Sequence, residues 1–201
     1  MTHNKVLYDY LIVGKGLIGS AAGKYLSYSS KQVAIVGPDE PFDFSTSQVF
    51  ASHYDNTRVQ RCVGKDSIWT RLNIESIQQY DQLQQESGIH FHSDEGCLYV
   101  SPHGEDNYLK SYVSLAAQFQ IAHQHLPDID SIHAAFPFYS FQDSACGVFE
   151  PGPAGHINPR LLLQAQLTVF QKNNGTVFRD TVNSIEHKEG VFVIHSVQGN
   201  T

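Results

Sequence analysis

The stretch from Tyr8 to Gly23 (YDYLIVGKGLIGSAAG) constrains the fold more than any other part of the chain. Residues 10–13 form an apolar run of strand length, and a glycine ends it. Gly14, Gly16 and Gly19 then follow with the G-x-G-x-x-G spacing of a dinucleotide-binding turn. The sequence therefore predicts a buried strand, a tight turn and the first turns of a helix.

Each glycine of this turn has a predicted physical role. Gly14 permits the sharp turn out of the strand, Gly16 lets a pyrophosphate approach the backbone, and Gly19 lets the helix pack close to the sheet. The helix should begin near Leu17, so that the N–H groups of Leu17 and Ile18 and the positive end of its dipole point at the phosphates. The alternative is a βαβ unit whose glycines serve close packing alone.

The second strand carries a departure from the usual dinucleotide pattern. The run QVAIV (32–36) ends at Gly37, where such folds usually have an Asp or Glu that binds the adenosine ribose. Either Asp39 or Glu40 reaches back to the ribose, or the contact is lost and binding is weaker. We take Asp39 as the candidate ligand. A glycine also leaves room for a 2′-phosphate, but no arginine follows closely enough to favour one.

Composition and charge exclude several classes of protein. The formal net charge of -7 argues against a nucleic-acid binder, which usually has a basic face. No apolar run approaches the length of a membrane span, and the first ten residues lack the apolar core of a signal peptide. The three cysteines lie far apart and form neither a metal pattern nor a disulfide framework, so we expect no metal site and a reducing, cytoplasmic compartment.

A pair of arginines follows a long loop at residues 41–56. Arg58 and Arg61 lie three residues apart and would share a face if a helical turn begins here. Two arginines near a cofactor site suit an anion, either a substrate carboxylate or a cofactor phosphate. The alternative is that they are surface arginines that pair with Asp55 and Asp66.

The remaining pattern predicts alternating helices and strands. We expect an amphipathic helix at 67–87, short strands at 89–92 and 97–101, a second helix at 106–120, a loop or short helix at 126–138 and a strand at 146–150. A turn-rich segment at 150–160 leads into a helix that ends at Lys172, with Asn158 as its N-cap and Pro159 as its first residue. Residues 176–179 should return to the parallel sheet as its third strand, and an antiparallel pair at 182–185 and 191–196 should turn at Glu189 and Gly190.

Four stretches, in this order, resemble one known family: YDYLIVGKGLIGSAA, SHYDNTRVQR, EPGPAGHINPR and GTVFRDTVNSI. The chain is similar to the N-terminal half of FAD-dependent amine oxidoreductases of the D-amino-acid oxidase superfamily, in the sarcosine-oxidase-like branch. The resemblance implies an α/β fold: a Rossmann-like FAD-binding domain with an interleaved α+β substrate domain, incomplete at the C-terminus. The expected FAD-binding ranges are 1–88 and 147–201, and 89–146 would form part of the substrate-binding domain.

The resemblance also implies a reaction. Members of this family move a hydride from the carbon next to a substrate amine to the flavin N5, and water hydrolyses the resulting imine. The cofactor supplies the redox chemistry, while the protein orients the substrate. The expected substrate is therefore a small amine or an N-substituted amino acid.

Site residues follow from the resemblance by position. The three glycines would hold the pyrophosphate, and Val182 would meet the adenine through its backbone. Arg61 matches the arginine that grips the substrate carboxylate, and Tyr54 stands where a histidine is common beside the flavin. The residues expected along the flavin or its phosphates are Ser52, His53, Thr57 and Arg58.

Length separates this chain from the family, whose members run well past residue 201. The chain would be a fragment, a truncated product, or one half of a split enzyme whose partner chain completes the fold. A second hypothesis is a non-catalytic dinucleotide-binding module, which Gly37 and the short length favour. A nicotinamide-dependent dehydrogenase is a weaker third, because nothing beyond the glycine turn supports it.

Overall fold

The computed structural model describes residues 6–46, 50–104 and 106–198. The chain divides into two compact units. The first contains the described parts of Met1–Asn56, Leu83–Phe91 and Asn158–Thr201, and the second contains those of Thr57–Gln82 and His92–Ile157. Residues 57–82 and 147–157 thus pack in the second unit, although the sequence analysis grouped them with the FAD-binding ranges. The division into a cofactor domain and a substrate domain stays a prediction.

The described residues form both strands and helices. The strands are β1 (Tyr10–Val13), β2 (Val33–Val36), β3 (Arg58–Gln60), β4 (His92–Ser93), β5 (Cys97–Ser101), β6 (Gln124–Leu126), β7 (Cys146–Glu150), β8 (Gly155–Ile157), β9 (Thr176–Phe178), β10 (Val182–Lys188) and β11 (Val191–Ser196). The helices are α1 (Leu17–Ser27), α2 (Ser67–Ile77), α3 (Tyr80–Ser87), α4 (Asn107–Gln118), α5 (Ile129–Ala135) and α6 (Pro159–Lys172), and a short 3-10 helix covers Phe44–Thr46.

The first unit contains a parallel sheet with the strand order β1-β2-β9. Its central strand β2 is buried along its whole length, as expected for a parallel strand that is covered on both faces. The core beneath it is formed by Val33, Ile35 and Phe170. The predicted return of the chain to this sheet as its third strand is confirmed by the parallel pairing of Ala34 with Thr176.

Helix α1 lies close against this sheet because Gly23 lacks a side chain. A Cβ on Gly23 would stand 2.4 Å from Cδ1 of Ile35, far inside contact distance. The same helix meets α6 through a hydrogen bond of 2.5 Å between Ser20 Oγ and Gln166 Oε1. Helix α6 begins as predicted, since the side chain of Asn158 accepts a hydrogen bond from the backbone N–H of Leu161.

A β-hairpin of β10 and β11 also belongs to the first unit. The two strands pair antiparallel, and the turn is made by Glu189 and Gly190, whose φ angles are 51° and 84°. The hairpin prediction is therefore confirmed, although β10 continues to Lys188 rather than ending at Ile185.

The second unit is built on two antiparallel sheets of three strands, β3-β8-β4 and β5-β7-β6. Helix α4 covers the second sheet with its buried face, which includes Leu109 and Tyr112. The strands at 97–101 and 146–150 and the helix capped by Asp106 were predicted. Strands β6 and β8 were not predicted, and β8 lies inside the segment that the sequence analysis interpreted as turns.

Two local features differ from what the sequence suggested. Arg58–Gln60 forms a strand that pairs with β8, so the helical turn that would place Arg58 and Arg61 on one face does not form. The single helix expected at 67–87 is instead two helices, α2 and α3. At the end of α2, the N–H of Gln79 donates a hydrogen bond of 3.1 Å to the carbonyl of Ser76, three residues earlier, and this tighter turn ends the helix. A strand predicted at 89–92 is found at His92–Ser93.

Glu150 connects three parts of the second unit from the centre of its core. The side chain is only 1 % exposed, and its carboxylate accepts hydrogen bonds from Cys62 N at 2.5 Å and Val63 N at 3.3 Å. The hydroxyl of Tyr112 donates a further hydrogen bond to it. Burial, together with the nearby Glu150 carboxylate, raises the pKa of the Cys62 thiol to about 12. Glu150 thus fixes the loop after β3 to both β7 and α4.

Replacing Glu150 tests this role. We expect Glu150→Ala to lower the free energy of unfolding by about 3 kcal/mol, because two buried N–H groups and a tyrosine hydroxyl lose their acceptor. The measurement is chemical denaturation followed by circular dichroism. Glu75→Ala, on the exposed face of α2, is the matched control and should change the stability by less than about 0.5 kcal/mol. Equal effects of the two substitutions would contradict the role of Glu150.

Candidate functional site

The turn between β1 and α1 has the geometry of an anion-binding site. Gly14 has a φ of 110°, a backbone conformation that residues other than glycine rarely adopt. Gly16 is the N-cap of α1 and supplies no side-chain cap, and the first turn of the helix contains no acidic residue. The N–H groups at the start of α1, those of Leu17 and Ile18 among them, therefore point away from the helix without an intrahelical acceptor. Such a helix start favours a negative charge.

The two later glycines of the turn face different surroundings. A Cβ on Gly19 would stand 1.9 Å from the carbonyl oxygen of Gly14, so only glycine fits there. Among the described residues, a Cβ on Gly16 would meet a single atom within 4 Å, Nδ1 of His53 at 3.9 Å. Gly19 is thus required by packing, whereas the side of Gly16 is open, as the approach of a pyrophosphate to the backbone requires.

Lys15 and Gly37 are in direct contact where the turn meets the end of β2. A Cβ on Gly37 would lie 2.6 Å from the backbone nitrogen of Lys15 and 2.7 Å from its Cβ. The Lys15 side chain is buried, and its ammonium forms an ion pair with the Asp39 carboxylate. Arg179, which follows β9, reaches the other oxygen of Asp39 at 3.6 Å. Residues that follow β1 and β9, the two outer strands of the parallel sheet, thus both contact Asp39, which follows the central strand β2.

Glu40, the neighbouring acid, is held by a different cation. Arg160 donates hydrogen bonds of 2.9 and 3.0 Å from Nε and of 2.6 Å from Nη2 to the Glu40 carboxylate. Its Nη1 donates to Asn56 Oδ1 at 2.7 Å. The hydrogen bonds from Arg160 hold the pKa of Glu40 below its usual value. Arg160, in the first turn of α6, therefore binds both Glu40, which follows β2, and Asn56, at the end of the loop at 41–56.

His53 and Tyr54 lie beside the open glycine. The two rings contact each other edge to face with centroids 4.7 Å apart. The Tyr54 ring also packs against Phe44 and Phe50, at 5.6 and 5.3 Å. Partial burial raises the pKa of the Tyr54 hydroxyl, and the charges of the two acids after β2 add to this shift. The structure thus brings His53 and Tyr54 into contact beside Gly16.

Ser52 and Val182 are also predicted cofactor ligands that belong to the first unit. Ser52 is exposed in the same turn that carries the buried His53. Val182, the expected adenine contact, begins β10 and is half-buried opposite Ser196. Their roles as cofactor ligands stay predictions.

Thr57, Arg58 and Arg61 belong to the second unit. Thr57 is exposed, and Arg58 is half-buried on β3 opposite Ile157. Arg61 follows β3, and its guanidinium carbon lies 5.8 Å from the centroid of the Tyr108 ring, a cation–π contact. The Tyr108 ring is stacked in turn on Tyr99, with centroids 4.5 Å apart. Arg61 is therefore presented beside an aromatic surface.

No group of three or more His, Cys, Asp or Glu that could hold a metal ion lies within the described residues. Across the same residues, every helix is too short or too polar to cross a membrane.

Comparison with known proteins decides the family. Residues 9–201 match the family described as FAD dependent oxidoreductase (DAO). The chain belongs to this DAO family. It is 26 % identical over 190 residues to N-methyl-L-tryptophan oxidase of Yersinia pestis (strain Pestoides F), a match that covers 93 % of this chain and 49 % of that protein. The DAO chain thus spans about half the length of the curated relatives it matches.

Solved structures of amino acid oxidases have the same fold. NikD, an unusual amino acid oxidase essential for nikkomycin biosynthesis, superimposes with a TM-score of 0.73 at 18 % identity, over 96 % of this chain and 48 % of NikD. Glycine oxidase from Bacillus cereus gives a TM-score of 0.72 at 19 % identity, over 96 % and 52 % of the two chains. The mixed α/β fold of the DAO chain is therefore that of FAD-dependent oxidases, and FAD is the cofactor of the family.

The site fits the diphosphate part of FAD. The uncapped start of α1 can accept its negative charge, and the open side of Gly16 leaves room for it. Three residues of this site were missed in the sequence analysis: Lys15, Arg160 and Arg179. Lys15 stands between two glycines of the motif and could have been found there, whereas the partners of Arg160 lie 120 and 104 residues away.

Substitutions at two glycines separate binding from packing. We expect Gly16→Val to retain the fold and to lose FAD, because its side chain fills open space in front of the helix start. Gly19→Val should instead lower the melting temperature strongly, since its Cβ would clash with the Gly14 carbonyl. The measurements are thermal denaturation and the flavin content after incubation with FAD. Undiminished flavin content in Gly16→Val would rule out the assignment of the turn.

Proposed function

We propose that this chain carries the cofactor-binding part of an FAD-dependent oxidoreductase that oxidises the C–N bond of a small amine or N-substituted amino acid. The observation that carries the proposal is the open side of Gly16 at the uncapped start of α1, within a chain of the DAO family. When bound, FAD supplies the chemistry by accepting a hydride from the carbon next to the substrate nitrogen. The parallel sheet β1-β2-β9 serves as the Rossmann-like support of this site.

The residues of the first unit bind and orient the cofactor in this proposal. The N–H groups that follow Gly16 hold the pyrophosphate, and Gly14 and Gly19 give the turn its shape. His53 lies against Gly16 and fixes one wall of the site. Tyr54 is the proposed neighbour of the flavin, and its aromatic contacts with Phe44 and Phe50 hold its ring in place. Ser52 and Val182 complete the set of cofactor contacts.

Arg61, in the second unit, is the proposed ligand of the substrate carboxylate. Arg61 provides a planar, permanently charged guanidinium, which pairs with a carboxylate through two parallel hydrogen bonds. The contact of Arg61 with Tyr108 limits its orientations before substrate arrives. Glu150 accepts the N–H of Cys62, the residue directly after Arg61, and so anchors the backbone from which that side chain extends. Thr57 and Arg58 are proposed to contact the flavin or its phosphates.

Two relatives of this chain support an amino acid substrate. The curated relative is an oxidase of N-methyl-L-tryptophan, and one solved structure is a glycine oxidase. Both substrates have an amine next to a carboxylate, the group that Arg61 is suited to bind. We propose the same class for this chain, together with a cytoplasmic location and a second polypeptide segment that completes the enzyme.

A non-catalytic dinucleotide-binding module is the second candidate function. It is favoured by Gly37, which supplies no carboxylate where dinucleotide folds usually bind ribose. Such a module would bind FAD or its adenine part without oxidising an amine.

A visible absorption spectrum of the purified chain, with and without added FAD, tests the proposal. We expect flavin bands that persist after gel filtration, and bleaching when a suitable N-methyl amino acid is added without oxygen. Retained flavin that no amine bleaches would favour the non-catalytic module. A chain that stays colourless after incubation with FAD would overturn the proposed function.

Substitution of Arg61 tests the substrate assignment. We expect Arg61→Ala to weaken binding of an amino acid substrate about 10- to 100-fold, the loss of a charge-assisted pair, and to leave the matching amine without a carboxylate nearly unaffected. Arg71→Ala, an exposed arginine of α2 in the same unit, is the matched control. The measurement is the Michaelis constant for each substrate pair. An equal effect on amino acid and amine would remove Arg61 from the carboxylate role.

A further inference from the structure

We propose that Lys15 positions Asp39 as the acceptor for the ribose hydroxyls of the adenosine diphosphate part of the cofactor. This inference rests on the proposed function. Lys15 is a positioning residue, because it acts through the carboxylate to which its ammonium is bound. The pair replaces the acid that dinucleotide folds usually carry directly after the second strand.

The usual position of the acid is closed in this chain. A Cβ on Gly37 would lie 2.6 Å from Lys15 N, 2.7 Å from Lys15 Cβ and 3.2 Å from Lys15 Cα. Two of these three atoms belong to backbone that the glycine turn holds in place. A carboxylate-bearing side chain at position 37 would therefore displace the turn that binds the pyrophosphate, so the acceptor must come from another residue.

Lys15 and Asp39 differ in exposure in the way this role requires. The Lys15 side chain is 7 % exposed, whereas that of Asp39 is 57 % exposed. A lysine buried to this extent has few rotamers left, so its ammonium fixes one carboxylate oxygen, Oδ1. The second oxygen, Oδ2, lies 3.6 Å from Nε of Arg179, whose side chain is 75 % exposed. A carboxylate oxygen of this kind can accept hydrogen bonds from hydroxyl groups.

Glu40 is less suited to the same role, although it lies next in the chain. Both of its oxygens accept hydrogen bonds from Arg160 at 2.6 to 3.0 Å. Release of Glu40 to bind ribose would break this bidentate pair and separate α6 from the end of β2. Asp39 needs no such rearrangement, because its Oδ2 is 3.6 Å from Nε of Arg179, beyond hydrogen-bond distance.

Binding of ADP and 2′-deoxy-ADP to the purified full chain, measured by isothermal titration calorimetry, tests the inference. The wild-type chain should bind ADP about tenfold more tightly than 2′-deoxy-ADP, the value of one hydrogen bond to a charged group. Asp39→Asn and Lys15→Met should each bring this ratio close to one. Methionine keeps an unbranched side chain of similar length in the buried site and removes the ammonium group. Glu40→Gln is the matched control and should leave the ratio unchanged.

The outcomes separate this inference from the proposed function. A wild-type chain that binds neither ADP nor FAD overturns both. A chain that binds FAD, but whose ratio is unchanged in Asp39→Asn, overturns the inference alone. If Lys15→Met weakens both ligands equally, Lys15 contacts the phosphates and does not position Asp39. Tighter binding of adenosine 2′,5′-bisphosphate than of ADP would also overturn the inference, because Arg179 would then bind a 2′-phosphate.

Discussion

Backbone contact on both sides of the glycine turn is the constraint on which the first unit depends. On one side, the carbonyl of Gly14 occupies the space that a side chain on Gly19 would need, with only 1.9 Å to its Cβ position. On the other side, the nitrogen of Lys15 occupies the space beside Gly37, at 2.6 Å. The turn is therefore held between the first turn of α1 and the end of β2. This fixes both the direction of the free N–H groups and the path of the Lys15 side chain.

The parts of this fold that could be predicted from sequence are those specified by neighbouring residues. The glycine spacing, the Asn158 cap and the hairpin turn at Gly190 each act within a few residues, and each was found where expected. Strand β3 could not be predicted, because a three-residue strand has no periodicity of its own. Only its pairing with β8, a partner nearly a hundred residues away, makes it a strand.

The candidate site divides in the same way. The glycines could be predicted because each has a requirement that its own backbone imposes, such as the φ of 110° at Gly14. The partners of the charged residues could not, because an ion pair depends on tertiary contacts. Arg160 stands in a segment that was recognised as a family motif, yet nothing in that segment indicates Glu40 as its partner. Glu150 was likewise recognised only as the end of a strand, although its burial makes it the anchor of the loop that carries Arg61.

The two acids that follow β2 show how tertiary partners divide similar residues between structure and binding. Asp39 and Glu40 are adjacent and equally charged, and the sequence analysis chose Asp39 as the candidate ribose ligand before any tertiary contact distinguished the two. Arg160 engages both oxygens of Glu40, whereas Lys15 engages a single oxygen of Asp39. Glu40, whose two oxygens both pair with Arg160, stabilises the fold. Asp39, which gives one oxygen to Lys15, keeps the other as an acceptor for a ligand. The lack of a carboxylate at Gly37 is therefore weak evidence for a non-catalytic module, because Asp39 supplies a carboxylate two residues further along the chain.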